Sequence, residues 1–337
     1  MAMLLQGKLI RWALAALCIF AVAAALAAPS FAQTYPSRLI TIVVPSPPGG
    51  GPDIWARILA EKLQTRLGQT VIVENRTGGG GLTGASDVAR SAPDGYTLLV
   101  SANTLGTAAH IFGTAGAGGV DVNRDLTPFI TLGISPAVIV VKASLGVKSL
   151  DELVELAKRP PGLTFASSGT GTLLHMAGEL FNKSAGIKLI HVPYPGFSQA
   201  INDLIGGRVN VLFTGYAAIA QHLKTDGPDK LLVLGIINKG RSPLAPEIPT
   251  LDELGYKNVD AIGWYGVYAR TGTPSEVIAK LNQEINAILK MPDVKERGVS
   301  TGLEITGGTP EEAAARYAKD YEVFGAVIKA AGIAQQQ

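Results

Sequence analysis

Residues 39–67 read LITIVVPSPPGGGPDIWARILAEKLQTRL, and this stretch predicts the fold class. It begins with an apolar, β-branched run typical of a buried strand and passes through a turn rich in proline and glycine. It then continues with helical spacing, which predicts a buried helix face made of Ile54, Ile58, Leu59 and Leu63. A strand that leads through a glycine turn into a helix is the repeating unit of α/β folds.

The same alternation continues along the chain and predicts two lobes, each a mostly parallel sheet flanked by helices. Lobe 1 is predicted at residues 33–135 plus 261–337, and lobe 2 at residues 136–260. Helix starts are predicted at three capping boxes, which begin at Ser149, Thr273 and Thr309. The strands are predicted at residues 71–74, 96–101, 137–141, 165–168, 191–193, 209–213, 231–237 and 264–269, and further helices at 82–92, 150–158 and 172–184.

Residues 1–32 have the pattern of a cleaved signal peptide, which predicts export to the periplasm. Lys8 and Arg11 precede an apolar core, and a small-x-small site precedes Gln33. An uncleaved membrane anchor is less favoured, because the apolar run is shorter than the roughly 20 residues that a spanning helix needs. The only cysteine, Cys18, lies in this segment, so the mature chain has no thiol for a disulfide, a metal or catalysis.

The net charge of the predicted mature chain bears on which partners it can bind. The chain has 29 Lys and Arg and 27 Asp and Glu, and loss of Lys8 and Arg11 leaves 27 of each. A neutral mature chain without basic runs argues against nucleic acid as a partner.

Three glycine-rich turns follow strands and open helices, at residues 45–53, 77–84 and 167–172. Such turns point backbone N–H groups at one place, and the helix dipole adds to their attraction for an anion. Any one of them is an ordinary strand-to-helix connection, but three together, one with four consecutive glycines, favour a ligand site. The turns contain no lysine or arginine, so the donors are predicted to be amides and the hydroxyls of Ser46, Ser167, Ser168 and Thr170.

Enzyme motifs are absent from the sequence. No acidic residue follows the second glycine turn at the distance that a ribose site needs, and no P-loop, nucleophile elbow or paired-histidine metal motif is present. The chain is therefore predicted not to be an enzyme and to need no cofactor or metal. His175 begins a helix near the predicted pocket, where contact with ligand and a structural role are equally favoured. Asp53 is interpreted as an N-cap or a brace for its loop.

Short motifs are spread over nearly all of the mature chain. They are LITIVVP (39–45), PGG (48–50) with Asp53, VENR (73–76) with Gly78, Gly80 and Gly81, APDGYTL (92–98), SSGTGT (167–172) with His175, VPY (192–194) with Gly196, Asp203-Leu204 with Gly206 and Val209, PT (249–250) with ELG (253–255), and GTP (272–274). Together these motifs resemble the Bug family, the receptors of tripartite tricarboxylate transporters.

This resemblance implies a two-lobed periplasmic binding protein of the type II-like, Venus-flytrap kind, with two crossover strands. It implies capture of a small organic carboxylate and delivery to the large and small membrane subunits of a transporter, by a monomeric receptor. The first two glycine loops would hold a carboxylate, and the second lobe would meet the distal end of the ligand. Carried over, the ligand-binding residues are Ser46, Pro47, Gly49, Gly50, Asp53, Gly78, Gly79, Gly80, Gly81, Ser167, Ser168, Thr170 and His175.

This chain departs from the family pattern in both loops. Ser46 stands where an aromatic residue is usual, and Thr77 and Gly79 stand where proline and alanine are usual. A wider or more polar pocket wall is expected there, and the identity of the carboxylate stays open. Two alternatives also remain: a receptor that presents its ligand to a membrane sensor, and a secreted hydrolase that uses Ser168 with His175.

Overall fold

The computed structural model describes residues 35–194, 197–219, 222–224, 226–227, 229–259 and 261–330. The predicted signal peptide and its cleavage site lie outside the described residues. All the helices and strands below belong to one compact unit, Arg38–Gln337. The strands are β1 (Ile40–Val44), β2 (Val71–Asn75), β3 (Thr97–Ala102), β4 (Leu126–Ser135), β5 (Ala137–Lys142), β6 (Thr164–Ser167), β7 (Ile190–Pro193), β8 (Val211–Gly215), β9 (Leu231–Ile237), β10 (Gly263–Arg270) and β11 (Glu304–Ile305).

The helices lie between these strands and after them. They are α1 (Gly51–Leu67), α2 (Leu82–Arg90), α3 (Thr104–Gly116), α4 (Val122–Asp125), α5 (Leu150–Ala157), α6 (Leu173–Ala185), α7 (Phe197–Ile205), α8 (Tyr216–Ile219), α9 (Ser275–Leu289), α10 (Pro292–Thr301) and α11 (Pro310–Ala330). Short 3₁₀ turns occur at Gly79–Gly81, Ala143–Leu145 and His222–Lys224. No helix in these described ranges is long and apolar enough to cross a membrane.

The first strand and helix form as predicted, but the buried face of the helix is centred on other residues than the sequence predicted. β1 is buried, and α1 begins after Gly50 with proline in its first turn and ends at Gly68 in the left-handed conformation. The buried stripe of α1 is centred on Trp55, Leu59 and Leu63, while Ile54 and Ile58 are only half-buried. The indole of Trp55 takes the central position because it is the largest apolar group on the helix.

The strands form two mixed sheets, which the chain connects by crossing from one to the other. The first sheet has the order β11-β4-β10-β3-β1-β2 and the second β7-β6-β8-β5-β9. Among the strands of the described residues, β1–β2, β1–β3, β6–β7 and β6–β8 pair in parallel. The sheets are therefore less parallel than predicted, because β4, β5, β9 and β10 pair antiparallel.

A crossover lies at Pro136, which separates β4 of the first sheet from β5 of the second. The chain returns to the first sheet as β10, which pairs between β3 and β4. Every strand of the second sheet falls within residues 136–260, and every strand of the first sheet falls outside this range. The lobe boundaries themselves stay a prediction.

The capping boxes predicted from the sequence have different outcomes. At α11, the Thr309 N–H donates to Glu312 (2.8 Å) and the Glu312 N–H donates to the Thr309 hydroxyl (3.2 Å), so this box is confirmed. Ser149 likewise accepts from the Glu152 N–H, at 3.2 Å. The box at Thr273 is wrong, because Pro274 is the N-cap residue there and the Thr273 hydroxyl donates to the Arg270 carbonyl instead.

The C-terminal helix α11 packs against both sheets. Tyr317 lies in the core with Leu99 and Trp264 of the first sheet, whereas Phe324 and Val327 join the core of the second sheet. Because one rigid helix contributes to both cores, its packing links the two halves of the molecule.

Candidate functional site

A cavity of about 520 Å³ lies between the two sheets. Its walls come from the carboxyl ends of β3, β6 and β8 and from the residues around the crossovers, which is where α/β sheets bind ligands. Its lining consists of Gly80, Ala102, Asn103, Thr104, Thr107, Ala108, Ile111, Phe112, Ser135, Ala137, Ser168, Thr170, Gly171, Thr172, Leu173, Leu174, Gly215, Gly263, Trp264 and Tyr265. None of these side chains is charged, so an anion in this cavity would be held by neutral donors.

Of the predicted ligand-binding residues, Gly80, Ser168 and Thr170 line this cavity. The other ten are not among its lining residues: Ser46, Pro47, Gly49, Gly50, Asp53, Gly78, Gly79, Gly81, Ser167 and His175. Their contact with ligand stays a prediction.

The first glycine loop is held from behind by Asp53. The Gly49 N–H donates to Oδ2 of Asp53 (2.9 Å), and Nδ2 of Asn75 donates both to Oδ1 of Asp53 (2.9 Å) and to the Ser46 carbonyl (2.9 Å). The Gly50 N–H donates to the Pro47 carbonyl, at 3.3 Å. The amides of Gly49 and Gly50 are therefore used to shape the loop. Asp53 acts as its brace, whereas the N-cap of α1 is Gly50.

The environment of Asp53 keeps its carboxylate ionised. Burial alone would raise the pKa of Asp53, but hydrogen bonds from Arg57, from the Gly49 amide and from Asn75 outweigh it and lower the pKa to about 2. Arg57 donates through Nε at 3.0 Å while its side chain stays 54% exposed, so the charge on Asp53 is balanced at the protein surface.

Tyr265 connects this loop to the cavity. Its hydroxyl lies so close to Gly51 that a side chain at that position would overlap the phenol ring. The same hydroxyl hydrogen-bonds with Ser135, and burial raises its pKa. Tyr265 therefore places a neutral donor at the N-terminus of α1, on the cavity wall.

The second loop needs its glycines for backbone conformation. Gly78, Gly79, Gly80 and Gly81 have φ values of 131°, 55°, 65° and 102°, which L residues rarely adopt. A Cβ on Gly80 would lie 2.9 Å from the Cβ of Ala108, so this glycine also lets α3 approach the loop.

The third turn is braced by a pair of stacked histidines. The Gly171 N–H donates to Nδ1 of His175 (3.0 Å), which makes His175 an acceptor behind the turn. The rings of His175 and His191 stack with centroids 3.8 Å apart and an interplanar angle of 10°. His191 in turn shares a 2.8 Å hydrogen bond between its Nε2 and the hydroxyl of buried Ser167.

This arrangement disfavours the hydrolase alternative. His175 uses Nδ1 for the Gly171 amide, and its Nε2 lies 3.8 Å from Glu179. Burial lowers the pKa of His175 to about 4, which makes the neutral imidazole a weaker base than one matched to pH 7. His191, the partner of Ser167, is also neutral at pH 7, because burial and then the repulsion between the two rings in their protonated forms lower its pKa to about 4.

The buried pair His175 and His191 predicts that the folded protein becomes less stable at acidic pH. Both rings stay neutral in the folded state down to about pH 4, whereas an unfolded chain takes up protons near the ordinary pKa of 6.5. The stabilisation that comes from keeping both rings neutral is complete above pH 6.5. As the pH falls from 6.5 towards 4, each histidine lowers the free energy of unfolding by about 1.4 kcal/mol per pH unit. We expect His191→Gln to reduce the pH slope of the unfolding free energy, measured in urea between pH 7 and pH 5.

Ser167→Ala is the matched control for this measurement. It removes the hydroxyl that bonds His191 but keeps both imidazoles, so it should lower stability without changing the slope. If the unfolding free energy of His191→Gln changed with pH as steeply as that of the parent, His191 would not be the neutral, buried group that causes the acid sensitivity.

Sequence reasoning missed the residues that form the back of the cavity. Asn103 accepts from the Trp264 N–H (3.3 Å) and donates to the Ile262 carbonyl (3.0 Å) and to Asp320 (2.9 Å). Asp320 of α11 also accepts from Nε1 of Trp264, at 2.6 Å. The position of Asn103 directly after a parallel strand was a usable signal, but nothing local marks Asp320, which is more than 200 residues away.

Comparison with known proteins places the chain in a family. The model of the family described as "Tripartite tricarboxylate transporter family receptor" matches residues 55–333. Protein BugT of Bordetella pertussis is 36% identical over 320 residues, which cover 95% of this chain and 97% of BugT.

Solved structures agree with this placement. The periplasmic binding protein BugD is 31% identical, with a TM-score of 0.70 over 90% of this chain and all of that one. A protein from R. palustris solved with adipate is 30% identical, with a TM-score of 0.74 over 88% of this chain and 98% of that one. The predicted two-lobed fold class and family resemblance are thereby confirmed, as is the expectation of a receptor and not an enzyme. The chain belongs to the tripartite tricarboxylate transporter receptors, the Bug family of solute-binding receptors.

Proposed function

We propose that this chain captures a small organic carboxylate in the cavity between its two sheets and delivers it to the large and small membrane subunits of a tripartite tricarboxylate-type transporter. The observation that carries the proposal is a cavity of about 520 Å³ with neutral walls, lined in part by glycine turns that follow strands of both sheets. Adipate, the ligand of the R. palustris relative, is a carboxylate of suitable size. Export by a cleaved signal peptide and a monomeric state belong to the same proposal.

The donors available in the cavity are sufficient for micromolar binding. Thr107 and Thr172 donate their hydroxyls to the carbonyls of Thr104 and Gly169. Of the lining hydroxyls in the described ranges, those of Thr104, Ser168 and Thr170 remain free for a ligand, and the last two lie on the third glycine turn. Hydrogen bonds to a charged group contribute about 1.5–3 kcal/mol each, and micromolar affinity needs about 8 kcal/mol. The hydroxyls of Ser168 and Thr170, Tyr265 and two or three backbone amides would reach this range after the costs of association.

Lobe closure provides the mechanism of capture. The carboxylate would first meet the N-termini of α1 and α2 on the first sheet, and the turn at residues 168–172 would then close over the distal end. A ligand that contacts both halves stabilises the closed form relative to the open form, and the closed form is what the membrane subunits would recognise.

Calorimetry on protein refolded from urea, which removes any retained ligand, tests carboxylate binding. We expect at least one member of a panel of aromatic acids, dicarboxylates, tricarboxylates and acidic amino acids to bind. Ser168→Ala/Thr170→Ala should weaken that binding about tenfold or more, because two charge-assisted hydrogen bonds are lost. Ser300→Ala/Thr301→Ala, a matched pair whose hydroxyls donate to the Arg297 carbonyl, should bind as the parent does. Failure of the whole panel to bind folded protein would refute the proposal.

Delivery to a transporter needs its own test, because the alternative is presentation to a membrane sensor. Vesicles that contain the large and small membrane subunits should accumulate labelled ligand only when the receptor is present. Uptake that is independent of the receptor would contradict delivery and leave the sensor alternative.

A further inference from the structure

Three of the glycines that line the cavity have a structural reason to be glycine, and one has none. The lining glycines are Gly80, Gly171, Gly215 and Gly263. Gly80 and Gly171 have φ values of 65° and 76°, which disfavour any side chain. A Cβ on Gly263 would lie 3.2 Å from the Ser135 carbonyl oxygen and 3.3 Å from Cδ2 of Leu173, so close packing leaves little room for it. Gly215 is the exception.

Gly215 is the last residue of β8 and lies opposite Ala137 of β5, directly after the crossover at Pro136. Its φ lies outside the left-handed region, so an L residue can adopt its backbone conformation. Of the described residues beyond its chain neighbours, only Ser135 comes within 4 Å of an added Cβ, with Oγ at 3.9 Å. Ser135 and Ala137 also line the cavity, and with Gly215 they form its floor. A side chain at position 215 would therefore extend into the open cavity.

The fold of the described residues gives no reason for glycine at this position. Glycine loses more conformational freedom on folding than any other residue and weakens a strand, in which it often marks the close approach of a ligand. An alanine would suit the backbone of Gly215 and should stabilise β8. The open space in front of Gly215 therefore points to an occupant other than the protein.

We infer that the body of the bound carboxylate lies against Gly215, whose missing side chain keeps the floor of the cavity open. This inference rests on the proposed function and adds a residue to its binding site. A methyl group at position 215 would compete with the ligand for the same space. In a fitted pocket, one methylene group changes affinity by about tenfold or more.

Variants of Gly215 that differ in side-chain volume test the inference. Calorimetry on protein refolded from urea should use benzoate, adipate, citrate and glutamate, one probe for each class of the carboxylate panel. We expect the probe that the parent binds tightest to bind Gly215→Ala about tenfold more weakly, and Gly215→Val more weakly still. The thermal midpoint of ligand-free Gly215→Ala should equal or exceed that of the parent, because the alanine meets no packed neighbour.

The two measurements separate a ligand contact from a structural role. Unchanged affinity in both variants would overturn the inference and leave the proposed function intact. A lower thermal midpoint for ligand-free Gly215→Ala would also overturn it, because the glycine would then serve the fold. If the parent bound none of the four probes and none of the wider panel, both the inference and the proposed function would fall.

Gly240→Ala is the matched control. Gly240 is an exposed loop residue away from the cavity lining, with a φ outside the left-handed region and no described residue within 4 Å of an added Cβ. The same chemical change at this position should leave the affinity of the parent unchanged. Equal losses in Gly240→Ala and Gly215→Ala would overturn the inference, because the effect would not arise at the floor of the cavity.

Discussion

Gly171→Ala is expected to weaken ligand binding by up to about a hundredfold, because the new methyl group would overlap Ile111 across the cavity. Forcing an extra methyl into a packed contact costs about 1–3 kcal/mol, and 2.8 kcal/mol is a factor of about a hundred. Gly171 belongs to the turn after β6 of the second sheet, and Ile111 belongs to α3 beside the first sheet. Either rotation of the Ile111 side chain within its packed core or separation of the two halves would relieve the overlap, and separation would remove contacts of the ligand with one half.

The backbone at Gly171 makes a control necessary. Its φ of +76° disfavours alanine even without a collision. Gly162 has a φ of +87° with no atom within 4 Å of an added Cβ, so Gly162→Ala carries the backbone strain alone. Calorimetry with the same carboxylate should therefore show a large loss of affinity for Gly171→Ala and little change for Gly162→Ala.

A second variant separates the collision from local damage to the turn. The atom of Ile111 nearest to the added methyl is Cδ1, which valine lacks. Ile111→Val should therefore restore much of the affinity when it is combined with Gly171→Ala. If Gly162→Ala lost as much affinity, or if the double variant recovered none, contact between the two halves at Gly171 would not explain the effect.

The sequence predicted those elements of the fold whose signals are local. β1, α1 and the glycine turns have alternation, helical spacing and turn residues that act over a few positions, and the structure has them within one or two residues. β4 and α3 were missed, since their pairing and packing depend on partners far away in the chain. β4 pairs with β10 over a separation of more than 120 residues, and this pairing also makes the first sheet mixed.

The candidate site was predicted only in part, for the same reason. Glycine turns are recognisable from the sequence alone. Gly80, Ser168 and Thr170 were therefore predicted as site residues, and they line the cavity. The apolar wall was missed because Ile111 and Phe112 have the ordinary helical spacing of core residues. Their exposure to a ligand arises from where α3 lies between the two sheets, which is a tertiary property.

Asp53→Asn is expected to lower the free energy of unfolding by about 3 kcal/mol at pH 7, since it removes the charge at the centre of the first glycine loop. Asp53 is buried and accepts from the Gly49 amide, Asn75 and Arg57. Hydrogen bonds to a charged group are worth about 1.5–3 kcal/mol each. The net loss in Asp53→Asn is smaller than their sum, because exposed Arg57 regains hydrogen bonds to water. An asparagine would also turn its NH₂ group towards one of these donors, which leaves that donor without an acceptor.

The pH dependence of this effect identifies its origin. The pKa of Asp53 is lowered to about 2 in the folded protein from an ordinary value of 3.8, so its ionised form favours folding. That contribution is fully present well above pH 4 and is lost as the pH falls through the folded pKa near 2. The difference in unfolding free energy between the parent and Asp53→Asn, measured in urea, should therefore be constant from pH 7 to pH 5 and narrow between pH 4 and pH 3.

Asp293→Asn is the matched control for Asp53→Asn. Asp293 also pairs with a cation, Lys62 at 2.7 Å, but its side chain is 59% exposed. Solvent screens an exposed pair of this kind, so Asp293→Asn should change stability little. Equal losses in the two variants, or a difference for Asp53→Asn that stays constant down to pH 3, would mean that Asp53 does not brace the loop through its charge. A difference that stays constant down to pH 3 would mean that the pKa of Asp53 is not depressed in the folded protein, because a depressed pKa must appear as a pH-dependent stability.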